Sequence, residues 1–151
     1  IALSRQKLPF ITETLTQKNM SSLGADVIKK SESNAEVTLI ASGSEVKIAI
    51  EAFNKLKDKN ISSKVVSMPC QELFERQTAA YKNKCIPKNF DNILAVESGK
   101  GQSWFRYIGK KGSMITMESF GLSGTGNDVM RYFGFTVTNI KKQMQKLIKR
   151  K

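Results

Sequence analysis

The sequence predicts an α/β fold in three layers (α/β/α), with a mostly parallel sheet between helices. Four short runs of strand-forming residues, near positions 38–41, 64–68, 92–96 and 113–117, each lead into a loop rich in Ser, Gly, Pro or Glu. Segments with helical spacing separate these runs, an alternation that joins parallel strands through crossover helices. Because such crossovers are right-handed, the loops that follow the strands should gather at one edge of the sheet.

The first run ends at Ser42, Gly43 and Ser44, after which apolar residues take up helical spacing. Ser42 and Glu45 have the spacing of a capping box, so Ser42 should accept a hydrogen bond from a first-turn amide while Glu45 reaches back. One face of the helix that begins here should be buried. The apolar residues of that face are Val46, Ala49, Ile50, Phe53 and Leu56.

The second and third strands lead into shorter helical segments. Pro69 ends the second strand, and residues 71–84 contain helical turns that carry Phe74 and Tyr81. After the third strand, residues 104–108 should form a short helix with aromatic anchors in a core or interface, including Trp104, Phe105 and Tyr107.

Both ends of the folded unit also show helix and strand signals. Residues 127–133 can form a helix closed by Gly134, and Thr138 can cap a final helix over residues 139–149. Residues 25–29 predict a short edge strand, because β-branched residues there are flanked by turn formers and the segment is too short to stand alone.

The chain has the length of one domain and contains no histidine. Its 151 residues can bury a core without disulfides or metals. The lack of imidazole excludes a Ser-His-Asp or Cys-His nucleophile and a His-ligated metal site. Cys70 and Cys85 are too few and too far apart for a zinc site, so we interpret them as reduced thiols of a cytoplasmic protein. No apolar stretch approaches the ~20 residues that cross a bilayer, so we expect no membrane partner.

The charge balance is strongly basic and raises nucleic acid as a partner. Lys and Arg number 25 against 13 Asp and Glu, which gives a formal net charge of +12. The basic residues are spread along the chain except near its end, where they occupy the helix faces left by Ile140, Met144, Leu147 and Ile148. Because no nucleic-acid-binding motif accompanies the charge, we interpret these lysines as a solvated face and expect no nucleic-acid partner.

Two groups of residues at the predicted carboxyl edge are candidate sites, since open α/β sheets bind ligands there. Ser42, Gly43 and Ser44 could hold an anion on free amides at a helix N-terminus, or could form a plain capped turn. The turn lacks the consensus of a P-loop and of a dinucleotide fingerprint. Glu97 and Glu118 could form a paired-carboxylate site for acid-base chemistry or a divalent cation, or could hold backbone amides.

Eight motifs in a fixed order resemble the C-terminal part of the transketolase family across nearly the whole chain. Each motif is weak alone, and their order and spacing make the resemblance specific. They are Ser-Arg-Gln-Lys-Leu-Pro (4–9), Thr-Leu-Ile-Ala-Ser-Gly-Ser-Glu-Val (38–46), Val-Val-Ser-Met-Pro-Cys (65–70), Leu-Phe-Glu-Arg-Gln (73–77), Ala-Val-Glu-Ser-Gly (95–99), Trp-Phe-Arg-Tyr-Ile-Gly (104–109), Ser-Phe-Gly (119–121) and Phe-Gly-Phe-Thr (133–136).

The resemblance implies the third domain of a thiamine-diphosphate enzyme that moves a two-carbon ketol unit between sugar phosphates in the pentose phosphate pathway. That domain, over residues 25–151, would have a five-stranded mixed sheet with one antiparallel edge strand. Residues 1–24 would be an arm from the preceding pyrimidine-binding domain. The family's Ser-Arg-Gln arginine holds the sugar phosphate, a role that maps onto Arg5. The implied partners are the remaining domains of the same chain and a second subunit of a homodimer.

The same resemblance implies that the cofactor lies elsewhere. Family members bind thiamine diphosphate and its divalent cation, Mg²⁺ or Ca²⁺, in their first two domains through a Gly-Asp-Gly stretch, a catalytic Glu and several His. This chain has neither Gly-Asp-Gly nor His, so it should bind no cofactor, should be inactive alone and should support the fold and the dimer. Where relatives read Phe-Gly-x-Ser-Ala-Pro, Gly124-Thr125-Gly126 replaces the end of the motif, which should loosen that loop.

Other interpretations remain open. A related thiamine-diphosphate enzyme with the same third domain, dihydroxyacetone synthase or 1-deoxyxylulose-5-phosphate synthase, is one. A stand-alone anion-binding module that uses the carboxyl-edge loops is another. The chain begins with Ile1 rather than Met, so we expect a piece of a longer polypeptide, and upstream sequence would discriminate among these alternatives.

Overall fold

The computed structural model describes residues 6–11, 19–88 and 91–149. Within these residues, five strands form one sheet in the order β1-β3-β2-β4-β5. The three pairings β2 with β3, β2 with β4, and β4 with β5 are parallel, and β1 pairs antiparallel with β3 at the edge. The strands are β1 (Asp26–Lys30), β2 (Val37–Ala41), β3 (Ser63–Ser67), β4 (Ile93–Glu97) and β5 (Ser113–Thr116).

This architecture confirms the predicted three-layer fold with a mostly parallel, five-stranded mixed sheet. The one antiparallel strand is β1, where the sequence predicts a short edge strand, and its register shifts between Val27 and Lys29. The helices are α1 (Glu45–Lys57), α2 (Gln71–Glu75), α3 (Ala79–Cys85), α4 (Phe105–Ile108), α5 (Gly126–Tyr132) and α6 (Val137–Ile148). Two 3-10 turns, Met20–Leu23 and Gln102–Trp104, precede β1 and α4.

Helices α1 and α6 cover one face of the sheet with aliphatic side chains. Leu39 and Val65 point into this layer from the strands, and α1 and α6 contact each other. The buried helix residues follow a spacing of three and four, which confirms the predicted apolar faces. They are Val46, Ala49, Ala52, Phe53 and Leu56 in α1 and Ile140, Met144 and Leu147 in α6.

Helices α2, α3 and α4 cover the opposite face with a more mixed set of side chains. Ile40 and Val66 point toward them from the sheet. The ring of Tyr107 lies 5.9 Å from that of Phe74 and 6.1 Å from that of Trp104, centroid to centroid. These rings are buried, which confirms the expected aromatic anchors, whereas Phe105 of the same segment is 65% exposed.

Two helix caps differ from the sequence prediction. The side chain of Thr136, not Thr138, accepts a hydrogen bond from the amide of Asn139, so α6 begins at Val137, two residues earlier than expected. Thr136 caps the helix because its extended backbone (φ −127°, ψ 147°) places its hydroxyl beside the first-turn amides, whereas Thr138 is already inside the helix. The second difference, at Ser42, belongs to the functional site.

The loop before α5 contains the departure from the family pattern. The side chain of Thr125 accepts from the amide of Asp128 and donates to its carboxylate, so a threonine cap begins the helix. Gly134 has a φ of +83° and follows the last turn of α5, as predicted. Residues 119–128 are exposed, including Phe120 at 97%.

In the part of the chain that the structure describes, no helix combines the length and apolar character needed to cross a bilayer.

Candidate functional site at the carboxyl edge of the sheet

The centre of the sheet contains a topological switch. Strands β2 and β4 are parallel neighbours, yet the chain leaves β2 toward α1 on one face and leaves β4 toward α4 on the other. Where adjacent connections diverge in this way, a crevice opens outside the carboxyl ends of the strands, and open α/β sheets bind ligands in such crevices. The candidate site is therefore the space bounded by the loops after β2, β3 and β4.

A hydrogen bond between the carboxyl ends of β2 and β4 spans the switch. The hydroxyl of Ser42 donates to Oε2 of Glu97 at 2.6 Å, and Oε1 of the same carboxylate accepts the amide of Gly99 at 2.9 Å. The predicted capping box is therefore wrong. Ser44 occupies the N-cap position of α1, and its side chain caps no amide. The Ser42 hydroxyl does not cap the helix either, because a carboxylate is a stronger hydrogen-bond partner than a backbone amide.

Glu45 begins α1 beside this bond and is almost fully buried. Its Oε1 accepts a hydrogen bond from the Ser44 hydroxyl at 2.7 Å, and it does not reach back toward Ser42 as a capping box requires. Burial raises the pKa of the Glu45 carboxyl, and the charge of Glu97 raises it further, although the Ser44 hydroxyl opposes the change. The switch thus places two carboxyl groups within electrostatic reach of each other.

Glu118, after β5, holds a second glycine amide of the loop after β4, as Glu97 holds the first. Its Oε1 accepts from the amide of Gly101 at 3.2 Å and from the hydroxyl of Thr116 at 2.8 Å. The Thr116 and Gly101 hydrogen bonds lower the pKa of the Glu118 carboxyl. Each predicted carboxylate therefore holds its own glycine turn, which is the amide-holding alternative, and the two are not hydrogen-bonded as an acid-base pair.

The crevice at the switch has a volume of about 300 Å³ and is open to solvent. The apolar part of its lining consists of Met68, Pro69 and Trp104, and Trp104 is only 3% exposed. Ser42 and Glu97 close the crevice on the β2 and β4 side.

Polar side chains from two further loops complete the lining. Nε2 of Gln71 donates to the Ser103 hydroxyl at 3.1 Å and joins the loop after β3 to the loop after β4. The Cys70 thiol donates to Oε2 of Glu72 at 3.4 Å. The backbone amide of Glu72 and the Cys70 thiol lower the pKa of the Glu72 carboxyl, which keeps it ionised at neutral pH.

Sequence reasoning missed residues 68–72 as part of this site. The available signal was the apolar run that ends at Pro69, since a third parallel strand must also deliver its loop to the carboxyl edge. The turn of Ser42, Gly43 and Ser44 does lie at this edge, and Gly43 has a φ of +50°. Its role in anion binding stays a prediction. Arg5 lies outside the described residues.

The residues that the structure describes offer no ligand set for the divalent cation of the cofactor that the family resemblance implies. Among residues 6–11, 19–88 and 91–149, no group of three or more His, Cys, Asp or Glu side chains could hold a metal ion. The chain as a whole contains no histidine. We therefore derive no catalytic step through thiamine diphosphate or its cation on these residues.

The sheet order, the antiparallel edge strand and the helices on both faces define a three-layer α/β domain with a mixed sheet. Residues 24–136 match the transketolase-like TK C-terminal domain, and the chain belongs to this family.

The proteins that are similar to this chain are transketolases, and the similarity covers nearly all of the chain. A Sinorhizobium medicae transketolase is 37% identical over 154 aligned residues that cover 99% of this chain and 21% of the relative. A Dictyostelium discoideum transketolase is 39% identical, with coverages of 95% and 22%. The crystal structure of the Campylobacter jejuni transketolase superposes with a TM-score of 0.80 at 34% identity, over 94% of this chain and 21% of that one. The chain thus spans about a fifth of the length of these relatives.

Proposed function

We propose that this chain is the C-terminal domain of a transketolase that transfers a two-carbon ketol unit between sugar phosphates. The supporting observation is the similarity of nearly the whole chain to one fifth of transketolases from distant organisms. The two free cysteines suit a cytoplasmic location, because reducing conditions keep thiols unpaired.

The domain itself supports the fold and the homodimer, while the rest of the enzyme holds thiamine diphosphate and its divalent cation. Residues 1–24 form the arm from the preceding domain, and residues 25–151 form the C-terminal domain. The isolated chain is therefore inactive, and the remaining domains and a second subunit are its partners.

Arg5 is the residue of this chain that contacts substrate. A guanidinium presents parallel N–H donors that match two oxygens of a phosphate dianion, which an ammonium cannot do. Sugar phosphates are accordingly the substrates that this residue selects.

A domain exchange tests the proposal. The homologous fifth of Bacillus subtilis transketolase, which is 38% identical over 151 residues, is replaced by this chain, and ketol transfer is followed in a coupled sugar-phosphate assay. We expect the hybrid to dimerise and to turn over, while the truncated enzyme and this chain alone do not. A folded, dimeric hybrid without activity would contradict the proposal. The mass of the native protein is a second measurement, expected to be several times 16.9 kDa.

The role of Arg5 has its own test in the active hybrid. Arg5→Ala should raise KM for phosphorylated sugars by roughly 10- to 100-fold and leave unphosphorylated substrates nearly unchanged, because it removes a charge-assisted contact. Lys7→Ala is the matched control, since Lys7 is an exposed cation of the same arm and should not alter KM. Equal effects of Arg5→Ala on both kinds of substrate would refute the phosphate contact.

A further inference from the structure

We propose that the crevice at the β2/β4 switch is a binding site for a neutral, hydroxyl-rich small molecule. The inference is independent of the ketol-transfer proposal, because it uses no residue that the proposed reaction uses. Its starting observation is a space of about 300 Å³ at the position where open α/β sheets bind ligands. That volume lies at the lower end of the range of small-molecule sites, roughly 300–1,000 Å³.

The charges at the crevice exclude an anion as its ligand. Glu97 and Glu72 both line it, and the pKa of Glu72 is held low, so both carboxylates face the space as negative groups. Among the described lining residues, Lys100 carries the positive charge, and its Nζ donates to the backbone carbonyl of Glu118 at 3.4 Å. The ammonium is thus drawn toward the β5 loop, and the crevice keeps an excess of negative charge.

The charge of the whole protein disfavours a cation in turn. A formal net charge of +12 opposes the approach of a cationic ligand, and the ammonium of Lys100 in the lining offsets one of the two carboxylate charges that would attract it, while those carboxylates repel anions. A neutral ligand avoids both penalties. Carboxylate oxygens with free lone pairs then act as acceptors for hydroxyl groups, as in the binding of sugar hydroxyls by acidic residues at strand ends.

The other lining groups complement a polyol. Glu97 uses one lone pair of each oxygen for Ser42 and Gly99, which leaves acceptor capacity directed at the crevice. Gln71 and Ser103 add donors and acceptors on the opposite side, where they are already oriented by their mutual hydrogen bond. Trp104 and Met68 border the crevice and, being 3% and 1% exposed, offer the ligand a narrow apolar edge.

Trp104 makes the site directly observable, because it is the sole tryptophan of the chain. Its fluorescence is titrated with ribitol as the neutral polyol, with inorganic phosphate as the anion and with 1,4-diaminobutane as the cation. We expect a saturable change with ribitol, with a dissociation constant of roughly 1 mM as suits a small polar ligand, and no saturable change with the two ions. Saturation with phosphate or the diamine in place of ribitol would overturn the assigned ligand class.

Two carboxylate variants localise the binding. Glu97→Gln should weaken ribitol binding by at least about tenfold, because it removes the charge from the acceptor while preserving its shape. Glu118→Gln is the matched control, since Glu118 holds a glycine amide in the same way but does not line the crevice, and it should bind ribitol normally. Equal weakening in both variants would overturn the site.

A measurement on the unmodified protein guards against a variant that fails to fold. Amide chemical shifts followed by NMR during the ribitol titration should move for Ser42, Gln71 and Gly99 and stay constant for Lys57 and Lys142 on the opposite helical layer. A fluorescence or shift change that grows linearly without saturation is the general effect of a cosolute. That outcome, or no change at all, would refute the proposal.

Discussion

The two helical layers of this domain cover opposite faces of one sheet with different kinds of helices and side chains. One layer uses two long amphipathic helices, α1 with 13 residues and α6 with 12, over an aliphatic core. The other uses three short helices, aromatic rings and buried polar groups, including Lys64 and the hydroxyl of Tyr107. Burial raises the pKa of Tyr107 to about 12. The first layer serves stability, whereas the second provides the aromatic wall of the crevice.

Alanine substitutions at two neighbouring residues of β2 compare the packing of the two layers most directly. Leu39→Ala should lower the free energy of unfolding by about 4 kcal/mol, because the long helices around Leu39 cannot collapse into the cavity. Ile40→Ala, on the opposite face, should cost about 3 kcal/mol, because the short helices there can relax further. Urea unfolding of both variants measures the difference. A larger loss for Ile40→Ala would contradict the view that the aliphatic layer is the stiffer one.

A glycine at the start of β1 tests how tightly the second layer is closed. Gly24 has a φ of +83°, and a Cβ there would lie 2.2 Å from the amide nitrogen of Phe74 and 2.4 Å from the carbonyl oxygen of Cys70. Gly24→Ala should therefore cost about 3 kcal/mol in urea unfolding.

Gly126 is the matched control for this substitution. Its Cβ would meet nothing within 4 Å, and it begins α5. Gly126→Ala should change stability by less than about 1 kcal/mol, with stabilisation as the expected sign. Similar losses in the two variants would show that the close approach at Gly24 is unimportant.

Lys64 tests the energetic consequence of the polar groups in the second layer. It is 6% exposed, its Nζ donates to the carbonyl of Lys84 at 3.1 Å, and burial lowers its pKa from 10.5. Burial of the charged ammonium therefore lowers the free energy of unfolding. This loss of stability is fully present at neutral pH, and it is relieved as pH rises from the lowered pKa of the folded state toward 10.5. Lys64→Met should stabilise the protein by about 1 kcal/mol at pH 7, and the gain should shrink as pH rises.

The control for Lys64 is an exposed lysine. Lys57→Met, at the exposed end of α1, should leave the pH dependence of stability unchanged. Thermal unfolding between neutral and alkaline pH measures both variants. A gain for Lys64→Met that does not depend on pH would point to packing rather than to charge burial.

Glu45 is the counterpart of Lys64 in the aliphatic layer and has the opposite pH dependence. Burial raises the pKa of the Glu45 carboxyl above 4.5 in the folded state. The charged carboxylate therefore lowers the free energy of unfolding at pH values above that raised pKa, and this loss of stability disappears as pH falls below 4.5. Glu45→Gln should stabilise the protein by about 0.5–1 kcal/mol at pH 7, since the hydrogen bond from Ser44 partly offsets the burial. Thermal unfolding from pH 7 to pH 4 should show the two proteins converging, and divergence would contradict the assignment.

The accuracy of the sequence prediction differs between the two layers for a physical reason. The faces of α1 and α6 were predictable because a long amphipathic helix repeats its apolar residues over several turns. The caps were less predictable. Ser42 has the local spacing of a capping residue, but its hydroxyl donates to Glu97, 55 positions away. Local spacing cannot register a competitor that reaches the same hydroxyl only after the sheet has formed.

The sequence by itself determined the fold class, the edge strand, the buried helix faces and the absence of imidazole chemistry. Those properties depend on backbone geometry and on residue type, and both are present along the chain before it folds. Only the tertiary structure decided the strand order β1-β3-β2-β4-β5, the separation of Glu97 from Glu118 and the crevice between Ser42, Gln71 and Trp104. These features require loops from distant parts of the chain to meet at one edge, and packing determines which side chains meet there.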